Sequence, residues 1–259
     1  MKVLVLGDIV GERAVEKLKR DLKSIKEKEG IDFTIANGEN SANGVGLTRK
    51  LFDEILSSGV DIITMGNHTW DNEEIYDFIN DTRIVRPANI TKGMSGKGYT
   101  IYKKDNKKIL IINLIGRRYM EGVYYSDNPF ITVKEILEET EKDIKIILVD
   151  FHAQSTGEKF NMAYYLDGKV SAIYRTHTHV QTADETIMPK GTGFITDIGM
   201  TGAIYSDLGC DVENSLKRYL YDMSVKDKLS TNDIMINGCI FEIDEITGKT
   251  INVKRIHID

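Results

Sequence analysis

Val3-Leu4-Val5-Leu6-Gly7-Asp8 opens the chain with four apolar, strand-forming residues that run straight into a glycine and a carboxylate. The arrangement returns four times. Phe33–Ala36 leads into Asn37-Gly38-Glu39-Asn40, Asp61–Met65 into Gly66-Asn67-His68, Ile144–Val149 into Asp150-Phe151-His152, and Val170–Tyr174 into Arg175-Thr176-His177-Thr178-His179. Helical patterns fill the early gaps: Glu12 to Lys28 places Val15, Leu18, Leu22 and Ile25 at three- and four-residue intervals, and Thr48 caps a helix through Ser57. Alternating strand and helix predicts a sheet flanked by helices, and such sheets bind ligands beyond the carboxyl ends of their strands. All five polar clusters fall there.

Farther along, the strand content rises. Gly98–Tyr102 and Lys108–Asn113 flank the polar turn Lys103–Lys107 and predict a hairpin. Helices are expected near Asn72–Ile79, Val133–Lys142, Glu158–Leu166 and Asp211–Tyr221, with short strands at Ile187–Met188 and Gly193–Thr196. Ile234–Ile243 and Ile251–Ile258 close the chain as a second hairpin about Thr247-Gly248. With three prolines and no linker-like tract, residues 1–259 read as one α/β domain of mixed sheet structure.

The net charge of −6 excludes a global basic field for nucleic acid or anionic lipid, so a phosphate-bearing substrate must be drawn in locally. Cys210 and Cys239 lack metal-ligand spacing and read as reduced thiols. Lys2 followed by a short run broken at Asp8 is no signal peptide, and no stretch approaches membrane-spanning length. The expectation is a cytoplasmic protein with no membrane association and no strong nucleic-acid binding.

Taken singly, each polar cluster has a bland reading. Asp8 can cap a helix, Asn37–Asn40 can be an ordinary turn, His152 a satisfied core histidine, and His177 with His179 a surface pair. Together, Asp8, Glu39, Asn40, Asn67, His152, His177 and His179 supply seven oxygen and nitrogen donors at strand ends. That is the number two ions sharing one bridging carboxylate need. Ions about 3.5–4 Å apart can hold a bridging hydroxide and clamp a phosphoryl oxygen. Donors without thiolate favour iron, manganese or zinc at a catalytic site. His68, beside Asn67 on what reads as extended chain, points away from the metal side. The spacing of His177 and His179 puts both imidazoles on one face of a strand end. Arg117 and Arg118 follow a strand and can offer a guanidinium to phosphate, or form a solvated turn. Trp70 can stack on a base but reads first as packing, and His257 reads as structural.

The segments Gly7–Gly11, Asn37–Gly44, Gly66–Asp71, Val149–Ala153, Thr176–Asp184 and Thr196–Gly202 resemble the calcineurin-like metallophosphoesterase superfamily, and most closely its YmdB-like branch. The resemblance spans most of the chain in order. It implies a four-layer α/β/β/α sandwich of two mixed sheets and a dinuclear phosphodiesterase acting on 2′,3′-cyclic nucleotides. Carried onto this sequence, it implies one ion held by Asp8, Glu39, Asn40 and His179. A second is then held by Glu39, Asn67, His152 and His177, with Glu39 bridging and His68 as general acid. It also implies two divalent or trivalent ions per chain, iron foremost, and a homo-oligomer. Gln154, Gly157 and Arg175 depart from the expected Glu, Ser and Gly, which puts substrate preference in doubt. Two alternatives stand beside this reading: a phosphomonoesterase or RNA-trimming nuclease on the same site, and a slow enzyme with a regulatory task.

Overall fold

A computed structural model of the chain describes residues 1–91, 93–104, 107–120 and 125–259. The first half runs β1 (Lys2–Ile9), α1 (Glu12–Glu29), β2 (Phe33–Asn37), α2 (Arg49–Ser57), β3 (Ile62–Thr64), a 3₁₀ turn (Glu73–Asp77), β4 (Ile84–Val85), β5 (Tyr99–Lys104) and β6 (Lys107–Ile115). Then follow α3 (Pro129–Glu139), β7 (Ile146–His152), α4 (Thr156–Leu166), β8 (Ala172–Thr176), β9 (Thr186–Ile187), β10 (Gly193–Phe194) and β11 (Met200–Ala203). The chain closes with α5 (Val212–Tyr221), β12 (Ile234–Ile243) and β13 (Thr250–Ile258).

Two mixed sheets form. The larger has the order β13-β12-β11-β1-β2-β3-β4 and the smaller β5-β6-β7-β8-β10-β9. Strands β11, β1, β2, β3 and β4 run parallel, as do β6, β7, β8 and β10, and antiparallel strands close both flanks of the smaller sheet and one flank of the larger. Side-chain alternation divides the apolar residues into three layers. Leu4, Leu6, Leu18, Leu22 and Phe52 pack α1 and α2 onto the larger sheet. Val3, Val5, Phe33, Leu148 and Phe241 fill the space between sheets. Leu110, Val149, Phe151, Val133 and Met162 pack α3 and α4 onto the smaller sheet. The order is helix, sheet, sheet, helix.

The sequence places most elements to within a few residues. Thr48 caps α2 as expected, its hydroxyl accepting the amide of Leu51. The helix expected at Val133–Lys142 begins earlier, because Asn128 caps it and Pro129 occupies the first turn. The Asn72–Ile79 segment closes only a 3₁₀ turn. Strands β4 and β11 are too short to announce themselves by periodicity. Of the expected turn Lys103–Lys107, residues 105 and 106 lie outside the described residues, and Lys103, Lys104 and Lys107 belong to β5 and β6. Cys210 and Cys239 are free thiols. Among the described residues, no helix is long and apolar enough to cross a membrane.

Candidate metal centre

A one-residue irregularity in β1 aims Asp8. Leu4 and Leu6 face the helices, and strict alternation would send Asp8 the same way. The register against β2 shifts between Leu6 and Asp8, and Ile9 is back on the helix side. The shift turns Asp8 to the edge between the sheets. Gly7 is required there: a Cβ would stand 1.9 Å from the carbonyl oxygen of Gly199. Asp8 therefore sits inside β1 rather than after it, and His152 is likewise the last residue of β7.

The oxygen donors come from the larger sheet. Past β2, the side chain of Asn37 accepts the amide of Glu39 at 3.0 Å, and Asn40 donates its amide to the carbonyl of Gly44 at 2.8 Å. That contact leaves the carbonyl oxygen of Asn40 aimed elsewhere. Past β3, Gly66 brings the backbone so close that a Cβ would lie 2.5 Å from both Glu39 and His152. Asn67 and His68 follow in a turn, not in the extended chain the sequence suggested. The backbone amide of His68 donates to Glu39 Oε2 at 2.8 Å, which is what folds the segment back. The His68 ring is partly exposed, with Nδ1 2.7 Å from Asp71 Oδ2.

The nitrogen donors come from the smaller sheet. His152 is fully buried, and its Nδ1 lies 2.8 Å from Thr176 Oγ1. That hydroxyl donates to Asp150 Oδ1 at 2.9 Å, and Thr64 from the other sheet donates to Asp150 Oδ2 at 2.5 Å. With the Thr176 hydroxyl hydrogen committed to Asp150, Nδ1–H of His152 must donate to Thr176. His152 Nε2 then faces the site. His177 and His179 do not continue β8: their φ angles are 100° and 63°, so they occupy a left-handed turn rather than one strand face. Nδ1 of His179 contacts the carbonyl of Leu208 at 2.9 Å, which turns its Nε2 outward from that contact.

The donors converge. His152 Nε2 lies 2.9 Å from Glu39 Oε1, 2.9 Å from Asn67 Oδ1 and 3.0 Å from His177 Nδ1. Glu39, His152 and His177 offer ligand atoms within 4.8 Å of one another. Asp8 Oδ2 accepts the amide of His177 at 3.1 Å, while its Oδ1 stands 3.9 Å from His152 Nδ1. Asp8 Oδ1 and Asn40 Oδ1 are both buried with no hydrogen-bond partner. One N–H cannot satisfy three acceptors, and buried orphan oxygens are costly. A cation among these groups resolves both problems, so the donor set fits metal ions.

Electrostatics agree. Burial raises the Asp8 carboxyl, opposed by His179 and His152. Burial would also raise Glu39, but the charge and hydrogen bond of His152 outweigh it and hold that carboxyl at about 2. Burial would lower His152, yet Glu39, Asp8 and Asp150 carry it up to about 9. His177 is pushed down to about 3 by burial and by charged His152. Burial lifts Asp150 to about 7 against its two threonine bonds and His152. Without metal, one proton thus sits on His152, at the centre of the donors.

The other candidates divide. Arg117 and Arg118 are exposed, and Glu158 accepts both their backbone amides at 3.1 Å. With Tyr119, Phe130, Tyr164 and Tyr165 they line a cavity of about 1150 Å³. Trp70 packs against the core under α1 and α2. His257 bonds Asn237 within the terminal hairpin. Gln154 and Gly157 are exposed at the start of α4, whereas Arg175 is buried toward the helix layer, away from the face carrying His152. Sequence reasoning missed Asp71, Thr176, Thr64 and Asp150 as supports. Only Asp71, three residues after His68, carries a local signal.

A sequence profile of the YmdB-like protein family matches residues 4–256. A Bacillus subtilis protein described as 2′,3′-cyclic-nucleotide 2′-phosphodiesterase is 43% identical over 260 residues, covering 100% of this chain and 97% of that protein. A crystal structure from Mycoplasma pneumoniae, described as a novel phosphatase, superposes with a TM-score of 0.94 at 35% identity. It covers 100% of this chain and 93% of that one. A protein of Thermus thermophilus, described as hypothetical, superposes with a TM-score of 0.92 at 35% identity, covering 99% and 98%.

Proposed function

This chain belongs to the YmdB-like family and is a phosphoesterase; from that premise we propose that it is a two-metal phosphodiesterase opening 2′,3′-cyclic nucleotides. One ion would be held by Asp8, Glu39, Asn40 and His179, and a second by Asn67, His152 and His177 together with Glu39. The observation that carries the assignment is the pair of buried, unpartnered oxygens on Asp8 and Asn40, beside an imidazole nitrogen crowded by three further donors. Iron leads the candidates for the bound ion, ahead of manganese and zinc. Bound metal supplies Lewis acidity at the phosphoryl group and a nucleophile at neutral pH.

The protein's own groups do the rest. Asp150 and Thr176 fix the tautomer of His152. The turn after β3 faces the Glu39 side with its backbone amide, leaving the His68 ring free of the donor cluster. Asp71 orients that ring through Nδ1. Nε2–H of His68 protonates the ribose oxygen that leaves phosphorus, a contribution of about 10²–10⁴-fold. The test is hydrolysis of 2′,3′-cyclic AMP with metal content measured in parallel. His68→Ala is expected to keep about two ions per chain and to lose turnover by about that factor. A metal-free His68→Ala protein would contradict the acid assignment, and a metal-loaded wild type inert toward the cyclic nucleotide would contradict the substrate.

One observation favours a longer substrate. The cavity beside β6 and α4 offers two exposed arginines and several aromatic rings, the pairing that holds nucleic-acid backbone and bases.

A further inference from the structure

The turn that presents His177 and His179 is the most strained part of the centre. Neither residue is glycine, yet both hold positive φ angles, and such backbone persists only where its surroundings fix it. On one side the amide of His177 is fixed by Asp8. On the other, Thr178 donates its hydroxyl to Asp197 Oδ2 at 2.7 Å and its amide to the same oxygen at 3.3 Å. Lys159 Nζ donates to that oxygen as well, at 2.7 Å, while Asp197 Oδ1 takes the amide of Gly199 at 2.9 Å. Lys159 and Asp197 are each 1% exposed. A second buried cation braces the lysine, because the Arg175 guanidinium donates to the Lys159 carbonyl and lies 4.2 Å over the Phe194 ring.

This ion pair touches none of the converging donor atoms. Buried ion pairs also seldom stabilise a fold more than apolar side chains of the same size do. Its geometry serves the turn instead. The lysine fixes the aspartate, and the aspartate grips the one residue between the two histidines.

We propose that Lys159 and Asp197 are positioning residues that hold the His177-Thr178-His179 turn in the shape that places both imidazoles for metal. The inference rests on reading His177 and His179 as ligands. Wild type and variants, freed of metal, are titrated with Mn²⁺, and the metal-free melting temperature is recorded for each. The double variant Lys159→Met, Asp197→Leu leaves the Gly199 and Thr178 amides without their acceptor and is expected to melt below wild type, while binding Mn²⁺ about 10–100-fold more weakly. Thr178→Val keeps the ion pair and removes only the hydroxyl grip. It is expected to weaken Mn²⁺ binding about tenfold with an unchanged melting temperature.

Wild-type Mn²⁺ affinity in the double variant makes the pair merely structural and overturns the proposal. Wild-type affinity in Thr178→Val does so independently, even where the double variant fails to fold. His177→Ala and His179→Ala separate the two levels. If they bind Mn²⁺ like wild type, the ligand assignment itself is wrong. If they lose binding while the clamp variants keep it, only the clamp is wrong.

Discussion

The larger sheet supplies every candidate oxygen ligand and the smaller sheet every candidate imidazole ligand, and the two halves are held in different ways. Asp8, Glu39, Asn40 and Asn67 are aimed mainly by backbone: a register shift at Gly7, an Asn37 turn, the Gly44 carbonyl, the close approach at Gly66. His152, His177 and His179 are aimed mainly by partners distant in sequence. Thr176 and Asp150 serve the first, Asp8 and Asp197 serve the turn, and Leu208 serves the last. Carboxylates and amides on tight turns have little freedom left to lose. Imidazoles on two-torsion side chains need their rings fixed from behind.

The strongest way to break the division is to remove the one group shared by both halves. Glu39 contacts His152 from the smaller sheet and the His68 amide from its own. Glu39→Ala is expected to leave the centre without metal and hydrolysis at background, read by elemental analysis and by turnover of 2′,3′-cyclic AMP. Normal metal content would show that the two halves do not meet at this residue.

The next test sets one support against another. Thr176→Val strips the hydroxyl between Asp150 and His152 and leaves buried polar groups unpaired, a loss of about 1–3 kcal/mol in stability. Metal affinity should fall about 10–100-fold with it. Asn37→Ala removes one turn contact from the oxygen half, and its effect on affinity should stay below about tenfold. Equal losses in the two variants, measured by Mn²⁺ titration and thermal melting, would erase the distinction.

Between about pH 6 and 9 the proton that competes most directly with metal sits in the imidazole half, on His152. His152 holds its proton up to about 9, Glu39 is ionised above about 2 and His177 is neutral above about 3. Between these limits a metal must displace the His152 proton and no other from the three. Because the His152 value is raised, the competing proton is fully bound well below 9 and leaves as pH rises through it. Apparent Mn²⁺ affinity should therefore climb about tenfold per pH unit from about pH 6 and flatten above about pH 9. An affinity independent of pH over that span would place the proton elsewhere.

The same division explains what the sequence carries. Strand ends followed by Gly-Asp, Asn-Gly-Glu-Asn and Gly-Asn-His are local patterns, so the candidate donors stand out, and so does the layered fold. The β1 irregularity that turns Asp8 inward has no sequence mark beyond Gly7, whose need lies far along the chain at Gly199. Extended spacing suggested that His177 and His179 share one strand face. The left-handed turn depends on Asp8, Asp197 and Lys159, which only the tertiary fold brings together. Arg175, suspected of disturbing the site, points into the helix layer, because residue 175 faces with Phe151 and not with His152.

The smallest expected effect tests whether binding extends from the inner edge of the smaller sheet to its outer face. Arg117 lines the 1150 Å³ cavity, and Glu158 fixes the backbone there without occupying the guanidinium. A cyclic mononucleotide is largely accommodated at the centre itself. A chain ending in the cyclic phosphate has further phosphates and bases to place, and an exposed arginine contact contributes about 1 kcal/mol. Arg117→Ala should then raise KM about fivefold for a short RNA with that end, leaving kcat and the 2′,3′-cyclic AMP constants unchanged. The difference should shrink as salt rises, because the contact is electrostatic and exposed. Equal constants for both substrates would confine binding to the edge where the two sheets meet.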